Sequence, residues 1–375
     1  MIKKILQKIF KKFSYSIFFV IYGKIAGSID CKEDNRINTT AVKKEKELEY
    51  KIYKVTNGRL YTDRIQDTAI ILDNKVINQP SFQLRRTFDS KIYNSNIKDN
   101  IVFRKGTPRK LINLNGSVLS LLTGGGGNNN YWHWLFDVLP RLALFSKIDK
   151  LDSVDYFLLP DLVKKFQIET LDSLKIPIKK RLSSKIYRHI KAEKIISTDH
   201  PVVVTGNATK DIMNIPFWIS EWLRESFLKE IPKNEGKNIK NIYIDRSFSK
   251  SHYPVQRLIS NEEEVKKYLL NNKFTSIKLH ETSFLDQVNL FNNAECIVGL
   301  HGGGFANTVF CRPETKIIEL KSSTAGVPIE NLAKKNNLNY KSIEVKAKQI
   351  ENFDYPNQQG AIQIPINELS KVLKN

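Results

Sequence analysis

The sequence predicts an α/β fold made of two Rossmann-like domains facing each other across a cleft. Three observations carry it. Beyond residue 240 short apolar runs alternate with amphipathic stretches of about ten residues, the pattern of strands and helices in a parallel, doubly wound sheet. A glycine-rich loop around Gly302–Gly304 stands between one such strand and the next helix, where α/β proteins take their ligands. The chain has 375 residues, enough for two domains at roughly 150 residues each.

Taken in order, residues 1–29 come first. Ile2, Ile5, Leu6, Ile9, Phe10 and Phe13 recur at helical spacing, with Lys3, Lys4, Lys8, Lys11 and Lys12 between them. That is a basic amphipathic helix suited to an anionic membrane interface, so residues 1–25 are read as a peripheral membrane contact. A plain surface helix and a signal peptide are the rival readings, the latter weakened by a short apolar core and a poor cleavage site at Gly27-Ser28. No run reaches the ~20 apolar residues that span a bilayer.

Residues 30–231 are read as one domain. Residues 30–50 are polar and lysine/glutamate-rich, as in a linker. Short β-type runs follow at Ala69–Leu72, Ile101–Arg104, Leu111–Leu114 and Val118–Leu122, separated by turn pairs at Asn57-Gly58, Asp73-Asn74 and Asn115-Gly116. Gly124–Gly127 make a loop and Tyr131–Phe145 a helix. Strand Tyr156–Leu159, helix Asp161–Leu174, strands Lys194–Ser197 and Val202–Val204, and helix Pro216–Leu228 complete it. A hinge at 231–236 opens the second domain, 232–340. There Ile242–Asp245, Ser276–Leu279, Cys296–Leu300 and Lys316–Leu320 read as strands, and Ser260-x-x-Glu263 and Ser283-x-x-Asp286 as the caps of two helices. Residues 341–375 are an extension expected to pack back on the N-terminal domain.

Composition bounds the function. Hydrophobic residues are 41% and charged residues 26%, the proportions of an ordinary globular protein. Three cysteines, Cys31, Cys296 and Cys311, exclude a disulfide scaffold. The formal net charge of +21 suits a polyanionic partner. The lysines are scattered, however, and no RNP motif, zinc-finger spacing or basic zipper appears, so nucleic acid is not expected as a partner.

The residues that carry chemistry fall into two groups. In Gly299-Leu300-His301-Gly302-Gly303-Gly304-Phe305-Ala306-Asn307 the glycines let backbone approach a ligand, and the following helix offers unpaired N–H groups to a phosphate. The loop matches neither a dinucleotide fingerprint nor a P-loop. It resembles the oxyanion motif of lipases, but no G-x-S-x-G elbow accompanies it. Glu319 closes the next strand, where a carboxylate commonly takes ribose hydroxyls. Arg246 ends the Ile242–Asp245 strand and Arg257 lies eleven residues on; forked guanidiniums there could hold a diphosphate. The second group is Asn130-Tyr131-Trp132-His133-Trp134-Leu135-Phe136-Asp137. His133 and Asp137 are four apart, on one helix face, and a carboxylate so placed can orient an imidazole as a general base. On spacing alone a structural His–Asp pair fits equally well.

The motifs N-x-Y/W-H-W-L-x-D-x-L-P-R at 130–141 and G-x-H-G-G-G-x-x-N at 299–307 resemble glycosyltransferase family 61. Tyr243-Ile244-Asp245-Arg246, Arg257-x-Ile259-x-Asn261-Glu262 and Ile317-Ile318-Glu319-Leu320 fit the family's remaining signature in order, so the resemblance covers about 110–325. It implies a GT-B fold, a nucleotide-diphosphate sugar donor (UDP-linked by expectation), inversion at the anomeric carbon, no metal and no other cofactor. Absence of any D-x-D agrees with metal independence. Phe305 stands where the family would have an aliphatic residue.

The reading is therefore an inverting glycosyltransferase of surface (capsular or exo-) polysaccharide synthesis, held on the cytoplasmic face of the membrane, with a glycan acceptor carried on a lipid. His133 and Asp137 are the expected catalytic pair. Arg246, Arg257, His301, Gly302, Gly303, Gly304, Asn307 and Glu319 are the expected donor-binding set. A non-catalytic nucleotide-sugar-binding or assembly protein, and a pyruvyl or phosphoryl transferase on the same glycans, are the alternatives.

Overall fold

The computed structural model describes residues 2–45, 48–64, 66–88, 91–122, 129–231, 239–246, 257–348 and 360–374. The expected Gly124–Gly127 loop and the hinge residues 232–236 lie outside them. The chain divides into two compact units, Met1–Gln167 with Lys175–Asp211, and Ile168–Leu174 with Ile212–Asn375.

The first unit is built on a mixed sheet. Strand His189–Thr198 lies at its centre, parallel to Ile112–Ser120, which in turn is parallel to Tyr156–Leu159 and that to Arg181–Ser183. On its other edge His189–Thr198 pairs antiparallel with Leu48–Thr56 and Arg59–Arg64. The strand is thus the point where a parallel ribbon changes into an antiparallel meander. The expected turn at 73–74 forms, with Asp73 and Asn74 at positive φ, as a tight hairpin requires; the one expected at 57–58 does not, because Leu48–Thr56 and Arg59–Arg64 run on in a single register along His189–Thr198.

Four more expectations for this unit are corrected. Asn115-Gly116 is no turn, because Ile112–Ser120 is one strand with a register shift opposite Ala192–Lys194. Gly116 sits there at φ +87°, where a Cβ would strike the Asp155 carboxylate that accepts the Ser117 N–H at 2.7 Å. Residues 101–104 form the helix Ile101–Lys105, because Asn100 caps it by accepting the Val102 N–H, and a good cap outweighs β-branched propensity. The polar 30–50 segment contains strand Ile37–Glu45, paired antiparallel with Leu48–Thr56. Val202–Val204 is not a strand; the N–H groups of Val202 and Val203 turn onto the His200 Nδ1 instead.

Helix Ile2–Tyr22 lies against this unit by one face. Phe19 covers Gly106, the Tyr22 hydroxyl accepts the Leu111 N–H at 2.8 Å, and the Tyr22 ring meets His189 edge-on. At 100° per residue, Leu6, Phe10, Phe13, Ile17, Val20 and Ile21 fall on the opposite side, and all six are exposed. Among the described residues no helix is long and apolar enough to cross a membrane.

The second unit has a five-stranded sheet in the order Thr275–Ile277, Asn241–Ile244, Cys296–Leu300, Lys316–Ser322, Asn339–Val345, with every pair parallel. Its central strand is buried throughout, as expected of a sheet covered on both faces. Ser283 caps helix Phe284–Asn293 as the sequence predicts. Ser260 does not cap the helix Glu262–Asn271; Asn261 occupies that position and the Ser260 hydroxyl bonds the Ile362 carbonyl.

Two domain boundaries move. Helix Phe217–Phe227 belongs to the second unit, where Phe227 packs edge-on against Phe284 at 4.7 Å. The C-terminal segment does not return to the first unit, because Ile362, Ile364 and Leu369 complete the second unit's own core beside Val298 and Ile318.

Two buried histidines make the first unit sensitive to acid. His189 donates from Nδ1 to the Arg109 carbonyl at 2.9 Å, and burial pushes its pKa down to about 4. Burial likewise takes His200 to about 3. Both native pKa values lie below the unfolded value near 6.5, so below that pH the unfolded chain binds protons that the folded chain refuses. Urea unfolding should therefore show stability level above pH 7 and about 3–4 kcal/mol lower at pH 5, with His189→Gln halving the slope.

Candidate active site

In the first unit the site rests on one short helical run. Asn130 accepts the Trp132 N–H and starts the Tyr131–His133 turn, which widens into a π segment at Trp134–Val138 before Pro140–Phe145 resumes the α-helix. Pro140 has no N–H to give the carbonyl four residues back, and Leu139 bonds the Trp134 carbonyl, five back. Such bulges recur at functional sites.

His133 Nδ1 lies 2.7 Å from Asp137 Oδ2. The imidazole retains 22% side-chain exposure whereas the carboxylate is buried. Burial pushes the Asp137 carboxyl upward, but His133, through charge and hydrogen bond, and the nearby His200 and Arg141 outweigh it and hold the pKa below its ordinary value. An ionised Asp137 keeps the proton on Nδ1 and leaves Nε2 as the basic nitrogen. The aromatic neighbours pack inward. Trp134 and Phe136 are fully buried and Trp132 stacks edge-on against Phe136.

Arg141, one further step of four along the same helix, was quoted in the motif without a role. It is 3% exposed. Its Nε donates to the Asp137 carbonyl, and Nη1 to the carbonyl and hydroxyl of Thr198. Burial lowers its pKa to about 10. The four-residue spacing of His133, Asp137 and Arg141 is the signal that could have found it.

In the second unit strand Cys296–Leu300 delivers the glycine loop. His301 is buried and its carbonyl accepts from Arg246 Nη1 at 2.6 Å and Arg257 Nη1 at 3.2 Å. Two residues distant in the chain thus meet at one loop. Burial, then the like charge of Arg257, lowers the Arg246 pKa to about 10. Gly302 makes room for this arrangement, since a Cβ there would stand 2.5 Å from Arg246 Nη1. A Cβ on Gly304 would meet Leu279 at 2.8 Å. The chain then enters a single 3-10 helical stretch, Gly303–Phe310, whose first N–H groups follow the loop.

Glu319 and Asn307 stand elsewhere than expected. Strand Lys316–Ser322 runs two residues past the expected end, so Glu319 is mid-strand and wholly buried. One carboxylate oxygen pairs with His301 Nδ1 and the other accepts the Tyr340 hydroxyl, which corrects the ribose role read from sequence. Asn307 is equally buried and gives its amide to Gln287, so it secures the loop from behind. Phe305 is also inside, against Gly299. Tyr340 carries no motif and could be found only once the Asn339–Val345 strand was known to pair beside Lys316–Ser322.

Among the described residues no group of three or more His, Cys, Asp or Glu is placed to hold a metal. The Glycosyltransferase 61 family model matches residues 131–318, which takes in His133, Asp137, Arg246, Arg257 and the glycine loop. No curated protein matches the chain.

Removing the carboxyl group of Glu319 strands two buried hydrogen-bonding partners, His301 and Tyr340. Glu319→Ala should therefore lower the unfolding free energy by about 2–5 kcal/mol, and Tyr340→Phe by about 1–2 kcal/mol, measured by denaturant titration. A Glu319→Ala protein as stable as the parent would show that the buried chain contributes nothing.

Proposed function

The chain belongs to glycosyltransferase family 61, and from that premise we propose an inverting transfer of a sugar from a nucleotide-diphosphate donor to a glycan hydroxyl, with the two units as the halves of a GT-B enzyme. The observation that carries the donor assignment is the meeting of Arg246 and Arg257 on the His301 carbonyl at the glycine loop. A desolvated Arg246 beside the like charge of Arg257 gains from an anion next to both. The loop N–H groups and these guanidiniums would take the diphosphate and its growing charge, without need of a divalent ion.

In the first unit His133 Nε2 would accept the proton of the acceptor hydroxyl while Asp137 holds the other nitrogen. As the acceptor oxygen bonds the anomeric carbon, the bond from that carbon to the diphosphate breaks, its electron pair leaving with the nucleotide. One displacement of this kind inverts the anomeric centre. His133→Ala should lose 10²–10⁴-fold in turnover with donor affinity retained, and Asp137→Asn should also lower turnover. Gly302→Ala should instead weaken binding of a nucleoside diphosphate about tenfold by displacing Arg246. Steady-state kinetics with calorimetry separates the two. Near-parental turnover of His133→Ala would remove it as base.

We also propose that the exposed face of helix Ile2–Tyr22 lies in an anionic membrane surface. Six exposed apolar side chains stand opposite the face that docks on the unit, and five lysines occur in the first twelve residues. The acceptor would then be a lipid-carried glycan of surface polysaccharide synthesis, met on the cytoplasmic side. Vesicles containing anionic lipid should bind the protein, the double variant Phe10→Asp, Phe13→Asp should not bind, and high salt should weaken attachment, at about 1 kcal/mol per basic residue. Salt-independent binding to neutral vesicles would contradict this.

A further inference from the structure

A cavity of about 220 Å³ opens in the first unit at the carboxyl ends of strands Ile112–Ser120 and His189–Thr198, lined among others by Leu122, Thr198, Asp199 and His200. The carboxyl ends of parallel strands are where α/β folds take their ligands, and here the antiparallel neighbour Leu48–Thr56 lines one side. Its volume falls short of the ~300 Å³ at which drug-sized pockets begin, so it suits a single sugar ring better than a nucleotide.

The polar groups facing it are built in. Arg141 is 3% and His200 7% exposed, and both line the cavity. Arg141 is fixed through Nε and Nη1, which leaves the Nη2 end of its fork with no partner among the described residues. His200 accepts the N–H groups of Val202 and Val203 on Nδ1, at 3.1 and 2.9 Å. Its proton is therefore on Nε2, where no acceptor among the described residues meets it. Asn94, also in the lining, accepts the Gln83 N–H on Oδ1 and keeps its amide N–H₂. The uncommitted groups are thus donors, one of them a buried cation. Acceptors are present too, as the Asp199 carboxylate, engaged with Tyr53 and the Lys51 N–H, and as Glu49 beside Lys51. Phe82, stacked on His200 at 5.2 Å, adds an apolar wall.

We propose that this cavity is an acceptor subsite for one acidic sugar, a pyranose bearing a carboxylate. The carboxylate accepts from Arg141, His200 and Asn94, and ring hydroxyls donate to Asp199 and Glu49. A carboxylate accepting charge-assisted bonds from a pre-placed guanidinium is among the stronger polar contacts available, and the donors need no reorganisation. Arg141 also bonds the carbonyl of Asp137, so one helical run carries both the subsite and the partner of His133. The proposal rests on the transferase reading for the word acceptor, while binding itself can be measured without any transfer.

The test is calorimetry on the full chain with methyl glucuronide and methyl glucoside, no donor present. The glucuronide should bind at least about tenfold more tightly. Asn94→Asp keeps the Oδ1 acceptor for Gln83 but sets a negative charge against the ligand's carboxylate; it should abolish the preference for the glucuronide. Phe82→Ala, at a half-buried position, should weaken both glycosides and serves as the second variant should Asn94→Asp lower the melting temperature. Equal affinity for the two glycosides, or no binding of either, overturns the proposal. So does inorganic sulfate competing as well as the glucuronide, which would mean a plain oxyanion hole. Glucuronide binding without sugar transfer from any nucleotide sugar would keep the cavity and remove the enzymatic reading.

Discussion

The Glu319 carboxylate has no exposed surface, and the second unit is arranged around that fact. An isolated ionised carboxylate in such a place would cost many kcal/mol, so both oxygens must be met by protein. His301 meets one and Tyr340 the other. Through His301 the carboxylate fixes the first residue of the glycine loop, and the carbonyl of that same residue is where Arg246 and Arg257 converge. A buried carboxyl group therefore sets the position of two guanidiniums that Glu319 never touches.

The first unit solves the same problem with a different geometry. Asp137 is buried with one oxygen on His133 and the other, Oδ1, without a hydrogen-bond partner among the described residues. What holds it ionised is the hydrogen bond from His133 and the positive charge of Arg141. Arg141 in turn is buried beside Asp137 and Asp199, both of which favour its charged form. The charges of Asp137, Arg141 and Asp199 compensate one another at short range among buried groups, where Coulomb interactions are strong. An imidazole held in this way has its orientation fixed in advance.

Much of this was legible in the sequence, and the reasons for success and failure are physical. The parallel sheet of the second unit was readable because its strands are buried on both faces and so appear as continuous apolar runs, as in Cys296–Leu300. The His133–Asp137 contact followed from helical spacing, which survives the π segment. Mixed and polar strands were harder. Ile37–Glu45 reads as a linker because its residues are mostly polar, and Ile101–Lys105 reads as a strand because its β-branched residues hide a capping asparagine. The role of Glu319 was misread for a simpler reason. Two more residues of strand move it from the rim of the sheet to the interior, and no local pattern fixes where a parallel strand stops.

The glycine loop shows why motif and mechanism have to be kept apart. Sequence assigns its residues to the ligand as a block, yet the structure divides them. Asn307 and Phe305 face inward and fasten the loop to the core. His301 points its ring into the sheet and only its carbonyl toward the arginines. Gly302 is required by the nearness of Arg246, because any side chain would occupy the guanidinium's place. The residues with the most recognisable side chains thus form the support, while the backbone and two arginines from outside the loop present the charge. A ligand there would be recognised by N–H groups and forked cations, chemistry that selects an anion's shape and leaves the identity of the sugar to be read elsewhere.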